Sequence, residues 1–377
     1  MRAALALLAC LLLPGCASLS YYWQAVTGHL ELMQAARPVH DWLQDPKSPE
    51  PLKQRLALAS RIRAFAVQQL HLPDSRSYQS YVQLQRPAAL WNVVAAPELS
   101  LRPQLWCFPV AGCVSYKGYY SEAAAQHEAQ ALRTQGLDVV VLPVPAYSTL
   151  GWLNWAGGDP LLSSFLGYPE GDLAGLIFHE MAHQVVYVGG DTAFNESFAT
   201  AVERLGGAQW LAQAGDEARA QHAAQDARRR AFRQLALGLR RELAELYGET
   251  EALRQVDDAP RAVNIQPTGA ARERLLERKQ AVWAQFRHRY AQLRQDWGGF
   301  AGYDAWVARS NNAALAALAD YEDLTPAFEA LFRQTGSWPR FYEEARRLAR
   351  LPQAERHAAL RSLVQPLSAQ AVPRTAQ

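Results

Sequence analysis

The pentapeptide His179-Glu180-Met181-Ala182-His183 carries the residue types of a hydrolytic metal centre. On an α-helix, residues four apart share a face, so both imidazoles can point at one ion. Two neutral nitrogen ligands can hold Zn²⁺ while an open coordination position admits water. Glu180, one residue on from the first His, can take that water's proton without binding the metal. The flanks are apolar, Leu176-Ile177-Phe178 before and Val185-Val186 after, which predicts a buried helix with one polar seam. Asp172 is its expected N-cap and Gly189-Gly190 its expected stop. Two His and a Glu in such a helix would be costly to bury without a partner. The alternative is a pair of histidines hydrogen-bonded in a core.

A third ligand is expected downstream. The metzincin pattern, with Gly three and His six residues after the second His, is absent, because Val186 and Gly189 stand there. Glu196, in Asn195-Glu196-Ser197-Phe198-Ala199, is the expected ligand if its helix runs antiparallel to the first. Two His and one Glu form a known catalytic zinc set. Asp191 is the second candidate, although in Gly189-Gly190-Asp191-Thr192 it also suits a helix cap. Glu203, seven residues beyond Glu196, is expected either to support an imidazole or to be a solvated helix charge. Tyr321 is a candidate neutral donor to a tetrahedral oxyanion, with a packed core tyrosine as the plainer reading. Tyr147 and Trp152 belong to a Gly/Trp-rich loop that could wall a substrate cleft.

Positioning these groups takes a mainly helical α+β fold. Residues 16–75 read as N-terminal helices, with apolar positions at three and four in Trp23-Val26-Leu30-Met33. Residues 76–206 read as a mixed α/β catalytic core with a small sheet. There, Asp138 to Leu142 is a strand that Pro143 and Pro145 place at a sheet edge or near its end, where an extended peptide could pair. Residues 207–297 predict a long helical hairpin and 298–365 helices packing on the site, with a frayed tail over 366–377. The basic cluster around Arg228-Arg229-Arg230 alternates with Leu, Ala and Glu, as a solvated helix face does. With a formal charge of +2 overall, nothing points to nucleic acid.

The first 15 residues read as an export signal: Arg2, then an apolar run from Ala3 to Leu13 too short to span a bilayer. Leu13-Pro14-Gly15-Cys16 resembles the lipobox of bacterial lipoproteins. The resemblance implies a lipid on Cys16 and, with Ala17 rather than Asp following, sorting to the outer membrane facing the periplasm. Plain secretion is the alternative. Cys107 and Cys113, six apart around Pro109 and Gly112, favour a small-loop disulfide in an exported chain.

Several motifs together resemble one family. They are the lipobox, Trp106-Cys107-Phe108-Pro109-Val110-Ala111-Gly112-Cys113 with Tyr116-Lys117-Gly118-Tyr119-Tyr120, Tyr147 to Trp152, the His-Glu-x-x-His pentapeptide and Asn195 to Ala199. Asn311-Asn312-Ala313 and Pro326-Ala327-Phe328-Glu329 extend the likeness over nearly the whole mature chain. The family is that of zinc-dependent aminopeptidases of Gram-negative bacteria, with Lys117 where its pattern has Arg. The resemblance implies a zincin-like, gluzincin-type hydrolase that acts on peptides. A Gly-x-Met-Glu-Asn exopeptidase loop is not present, so endopeptidase action is the alternative within the same chemistry. From another class, the chain could be a non-catalytic envelope lipoprotein with a zinc site, or one whose hairpin docks a partner.

Overall fold

The computed structural model describes residues 15–108, 112–146, 158–249, 268–319 and 324–364. Helix α1 (Gly15–Gln34) is followed by β1 (Arg37–Pro38), α2 (Val39–Gln44) and α3 (Glu50–Gln68). Then come β2 (Ser80–Val82), β3 (Leu90–Pro97), β4 (Trp106–Phe108), β5 (Gly112–Val114) and β6 (Lys117–Tyr119). Helix α4 (Glu122–Thr134) leads into β7 (Leu137–Val144), β8 (Leu161–Leu162) and α5 (Ser163–Leu166). Helices α6 (Glu170–Ala182) and α7 (Thr192–Gln213) carry the candidate ligands. After them run α8 (Asp216–Tyr247), α9 (Gly269–Asp296), α10 (Asp304–Arg309), α11 (Asn312–Ala319), α12 (Thr325–Thr335), α13 (Trp338–Ala349) and α14 (Gln353–Ser362). The architecture is mainly helical α+β with small sheets, as expected.

Antiparallel β3 is central in the order β6-β3-β7. Its alternate side chains serve two cores. Trp91, Val93 and Ala95 pack with α4 residues, while Val94 and Ala96 pack with Ala313 and Ala314 of α11. Strand β7 lies at an edge, as its prolines predict. The edge is partly occupied, because Val139 O accepts from Asn311 Nδ2 at 3.1 Å and from Arg133 Nη2 at 3.5 Å. Strands β4 and β5 form a separate hairpin whose facing Cys107 and Cys113 are disulfide-bonded, as the spacing favours.

The largest core is built on α3, α6, α7, α12 and α13. Phe178 of α6 packs on Phe65 (ring centroids 5.9 Å apart), and Phe198 of α7 packs on Phe328 and Phe341 (both 5.5 Å). These contacts fix both ligand-bearing helices from their apolar sides. Helices α8 and α9 form the expected hairpin around their own core of Phe232, Leu239, Trp283 and Phe286. It begins at Asp216 rather than near 207, because α7 runs on to Gln213. Its basic cluster is largely solvated: Arg229 and Arg230 are 45% and 66% exposed and pair with Asp226.

Candidate metal centre

Pro169 is the N-cap of α6, three residues before the expected cap. Asp172 therefore lies in the first turn, where a carboxylate favours the positive end of the helix. There it meets Arg229 at 3.3 Å and His222 at 3.7 Å from α8. The helix also ends early. Ala182 is its last residue and His183 is the C-cap, still at helical angles (φ −59°, ψ −19°). The backbone then tightens, with Gln184 N bonded to Met181 O and Val185 N to Ala182 O. Val185 and Val186 are buried in the core, so the chain turns inward well before Gly189-Gly190. The helical angles at His183 preserve the four-residue spacing on which the site depends.

Helix α7 returns antiparallel to α6, so that His179 meets Glu203 and His183 meets Glu196. His179 Nε2 lies 3.3 Å from Glu196 Oε2, and His183 Nε2 lies 3.8 Å from Glu196 Oε1. Within the set His179, His183 and Glu196, the ligand atoms lie within 4.8 Å of one another. Atoms each 2.0–2.2 Å from one zinc ion are at most about 4.4 Å apart. The two His-to-Glu196 separations are inside that limit, and the whole set, within 4.8 Å, is close to what one small cation gathers. Side-chain exposure is 15% for His179, 7% for His183 and 15% for Glu196, enough to admit water to an otherwise enclosed group.

Glu203 Oε2 lies 3.1 Å from His179 Nδ1. With Nδ1–H donated there, Nε2 is the nitrogen that faces Glu196 and would bind an ion once its own proton is lost. Room for Glu203 comes from Gly175, one turn before His179, where an added Cβ would stand 3.1 Å from Glu203 Cγ. Burial disfavours a charged His179, but the hydrogen bonds and charges of Glu196 and Glu203 outweigh it and hold its pKa well above the usual value. Burial pushes His183 down to about 4, with Glu196 opposing and His179 adding, which leaves it in the neutral form that ligates metals. Glu196 and Glu203 are held below the ordinary carboxylate range, since their imidazole partners outweigh burial. Burial pushes Glu180 up to about 7; His179 opposes this, and the charges of Glu196, Asp159 and Glu203 add to it.

Asp191, the second candidate ligand, belongs elsewhere. It caps α7 by accepting from Phe194 N at 3.0 Å. Its carboxylate is also bound by Arg356 Nε and Nη2 at 2.9 and 2.8 Å and by His357 Nε2 at 2.9 Å. Its oxygens are thus committed to α14, and the group is only 2% exposed. Asn195, beside Glu196, bonds both the N–H and the C=O of Val188 at 2.8 Å, tying the turn after α6 to the first turn of α7.

Two groups near the site had no role assigned from sequence. Burial, with the charges of Glu196 and Glu180 among the causes, holds the half-buried Tyr116 phenol well above its ordinary range. Burial and Glu196 raise Tyr187 likewise. Both are neutral hydrogen-bond donors at working pH. The β4–β5 hairpin abuts the turn between the two ligand helices. Gly112, at φ +74°, would place a Cβ 2.7 Å from Gly190 N, so only glycine fits the junction. The sequence's signal for Tyr116 was the aromatic cluster after the cysteines, which gives no hint of its nearness to the site; Tyr187 carried no signal. Tyr147, Trp152 and Tyr321 lie outside the described residues. The backbone at Cys16 lies in the first turn of α1.

No curated protein and no solved structure matches the chain. A family profile described as "Putative aminopeptidase" matches residues 20–360, most of the chain and all of the candidate metal centre. The chain belongs to that family.

Proposed function

We propose that the protein is a zinc-dependent aminopeptidase with a zincin-like catalytic core, acting on peptides at the periplasmic face of the outer membrane, where a lipid on Cys16 holds it. The observation that carries the catalytic reading is the convergence of His179 Nε2, His183 Nε2 and the Glu196 carboxylate, with Glu180 beside them on the same helix. Family membership supports the choice of a free amino terminus as the point of attack.

His179, His183 and Glu196 would hold the ion, and Glu203 orients His179 through Nδ1. When bound, zinc supplies Lewis acidity to the scissile carbonyl and to water. A cation in that set favours the ionised form of Glu180, which a general base needs. Glu180 accepts a proton from the attacking water on a carboxylate oxygen and returns it to the departing amine. The water's oxygen remains on the new carboxyl group. A neutral donor to the oxyanion is required. Tyr116 is such a phenol in the field of Glu180 and Glu196, and Tyr321 is the candidate from sequence. Tyr147 and Trp152 are the candidate contacts for the substrate.

The test compares hydrolysis of peptides with free and with acetylated amino termini by the wild type and by Glu180→Gln. We expect zinc-dependent release of the first residue from free peptides only. The variant should bind zinc equally and lose 10²–10⁴-fold in kcat. Full activity in Glu180→Gln would sink the mechanism, and cleavage of acetylated peptides would move the reading to an endopeptidase. For the anchor, Cys16→Ser should release the protein from the membrane fraction.

A further inference from the structure

Helix α1 is apolar on two opposite sides. One side is held by the protein. Tyr21 stacks on Phe108 (5.5 Å) and meets Tyr119 edge-on (5.7 Å). Gln24 pairs with β6 as a strand residue would, accepting from Tyr120 N at 3.1 Å and donating to Gly118 O at 3.4 Å. Gly28 lets the helix approach so closely that an added Cβ would sit 2.4 Å from Tyr120 Cγ, and Leu32 is 4% exposed in the main core.

Among the described residues the other side is largely uncovered, Tyr22 alone meeting a ring, Phe108, at 6.4 Å. Tyr22, Trp23, Val26 and Leu30 are 41%, 69%, 55% and 50% exposed, and their three- and four-residue spacing makes one stripe. Among the described residues, the other exposed large hydrophobic side chains, Leu105, Phe300 and Val364, are scattered over separate parts of the chain. A helix buried on one side only would carry polar residues on the other.

We propose that this stripe rests on the surface of a lipid bilayer, with the aromatic pair at the interface and Val26 and Leu30 against the acyl boundary. Three observations select a bilayer over a protein partner. The stripe begins six residues after Cys16, the residue on which the lipobox resemblance implies a lipid. Trp and Tyr are the side chains enriched where a bilayer meets water. Between Gly15 and Gln34 the helix has no Lys or Arg and one carboxylate, Glu31, so its attraction is apolar and needs no anionic lipid. The contact lies along the surface, because the opposite side of α1 is bound to β6; no described helix is long and apolar enough to cross a membrane. The inference draws on the reading of Cys16 as the anchor but concerns a different contact.

The experiment places the full chain on vesicles of phosphatidylcholine alone, with and without a doxyl-labelled acyl chain, and reads quenching of tryptophan emission. Wild type should float with the vesicles and show a quenched fraction that is insensitive to salt. That fraction should vanish in Trp23→Phe, and also in the Val26→Asp/Leu30→Asp double variant, both retaining wild-type circular dichroism. Equal quenching in wild type and Trp23→Phe overturns the proposal, as does a wild type that does not float. A dimer in vesicle-free solution that Val26→Asp/Leu30→Asp dissociates would assign the stripe to a second copy instead. Cys16→Ser separates the two readings: loss of the lipid reading alone leaves Trp23 quenching intact.

Discussion

Glu203 stands outside the candidate ligand set but hydrogen-bonds one of its members. It lies 3.1 Å from His179 Nδ1 and is 34% exposed, so a solvated charge and an imidazole support were both open until this contact was visible. A group that fixes a ligand's tautomer typically contributes 10–100-fold to metal affinity. Glu203→Ala should therefore weaken zinc binding by about that factor, read by competition with a chelator at constant pH. Affinity equal to wild type would return Glu203 to the solvated reading. Glu196→Ala should go further and lose the ion, whereas Asp191→Ala should keep close to the wild-type zinc content per folded chain. Zinc lost from Asp191→Ala but kept by Glu196→Ala would invert the ligand assignment.

At the scale of elements, the buried knot of Asp191, Arg356 and His357 joins the start of α7 to α14, which fixes the approach of Glu196 to α6. Removing one member strands the others. Arg356→Ala should cost about 3–5 kcal/mol by leaving a buried carboxylate short of its partner, measured by urea unfolding. Burial alone would raise the Asp191 pKa, but hydrogen bonds from His357 and Phe194 N–H, and the charges of His357 and Arg356, hold it below the ordinary value. Such a depressed carboxylate contributes stability that is present above its unfolded pKa, about 3.9. That stability is lost as pH falls through the folded value. Asp191→Asn should therefore lower stability at pH 7 and flatten its fall on the acid side. Parallel acid limbs for wild type and Asp191→Asn would refute that assignment.

On the scale of the whole molecule, the candidate ligands close a long turn between two helices that are otherwise held from their far sides. An ion bound there stabilises the folded chain by mass action, about 4 kcal/mol at a thousandfold excess over Kd. Thermal melts should rise with zinc and fall with chelator in wild type, and show no such response in Glu196→Ala. The hairpin is tied to the same body by buried polar contacts. Tyr247, the last residue of α8, donates its hydroxyl to Asn312 Oδ1 at 3.3 Å, Asn312 Nδ2 donates in turn to Glu98 O at 2.9 Å and Ser100 O at 3.0 Å, and Glu249, just past α8, accepts from Leu101 N at 2.9 Å. The Asn311-Asn312 pair, seen in the sequence only as part of a likeness, thus bonds the edge and the end of the sheet.

By itself the sequence determined what is local and periodic: the ligand spacing on α6, the capping role of Asp191, the edge position of the proline-terminated strand, the small disulfide loop and the helical hairpin. Each follows from backbone geometry over a few residues, or from an apolar period over a few turns. It misplaced both ends of α6: the N-cap is Pro169 rather than Asp172, and at the other end burial of Val185 and Val186 turned the chain before the glycines could. The tertiary structure alone separates Asp191, Glu196 and Glu203 by their partners, and only Glu196 joins the two histidines in the candidate set. Asp191 is claimed by Arg356 and His357, 165 and 166 residues away, and Glu203 meets the far nitrogen of His179. Which of three carboxylates faces the two Nε2 atoms is a matter of where a second helix packs, and no spacing within that helix encodes it.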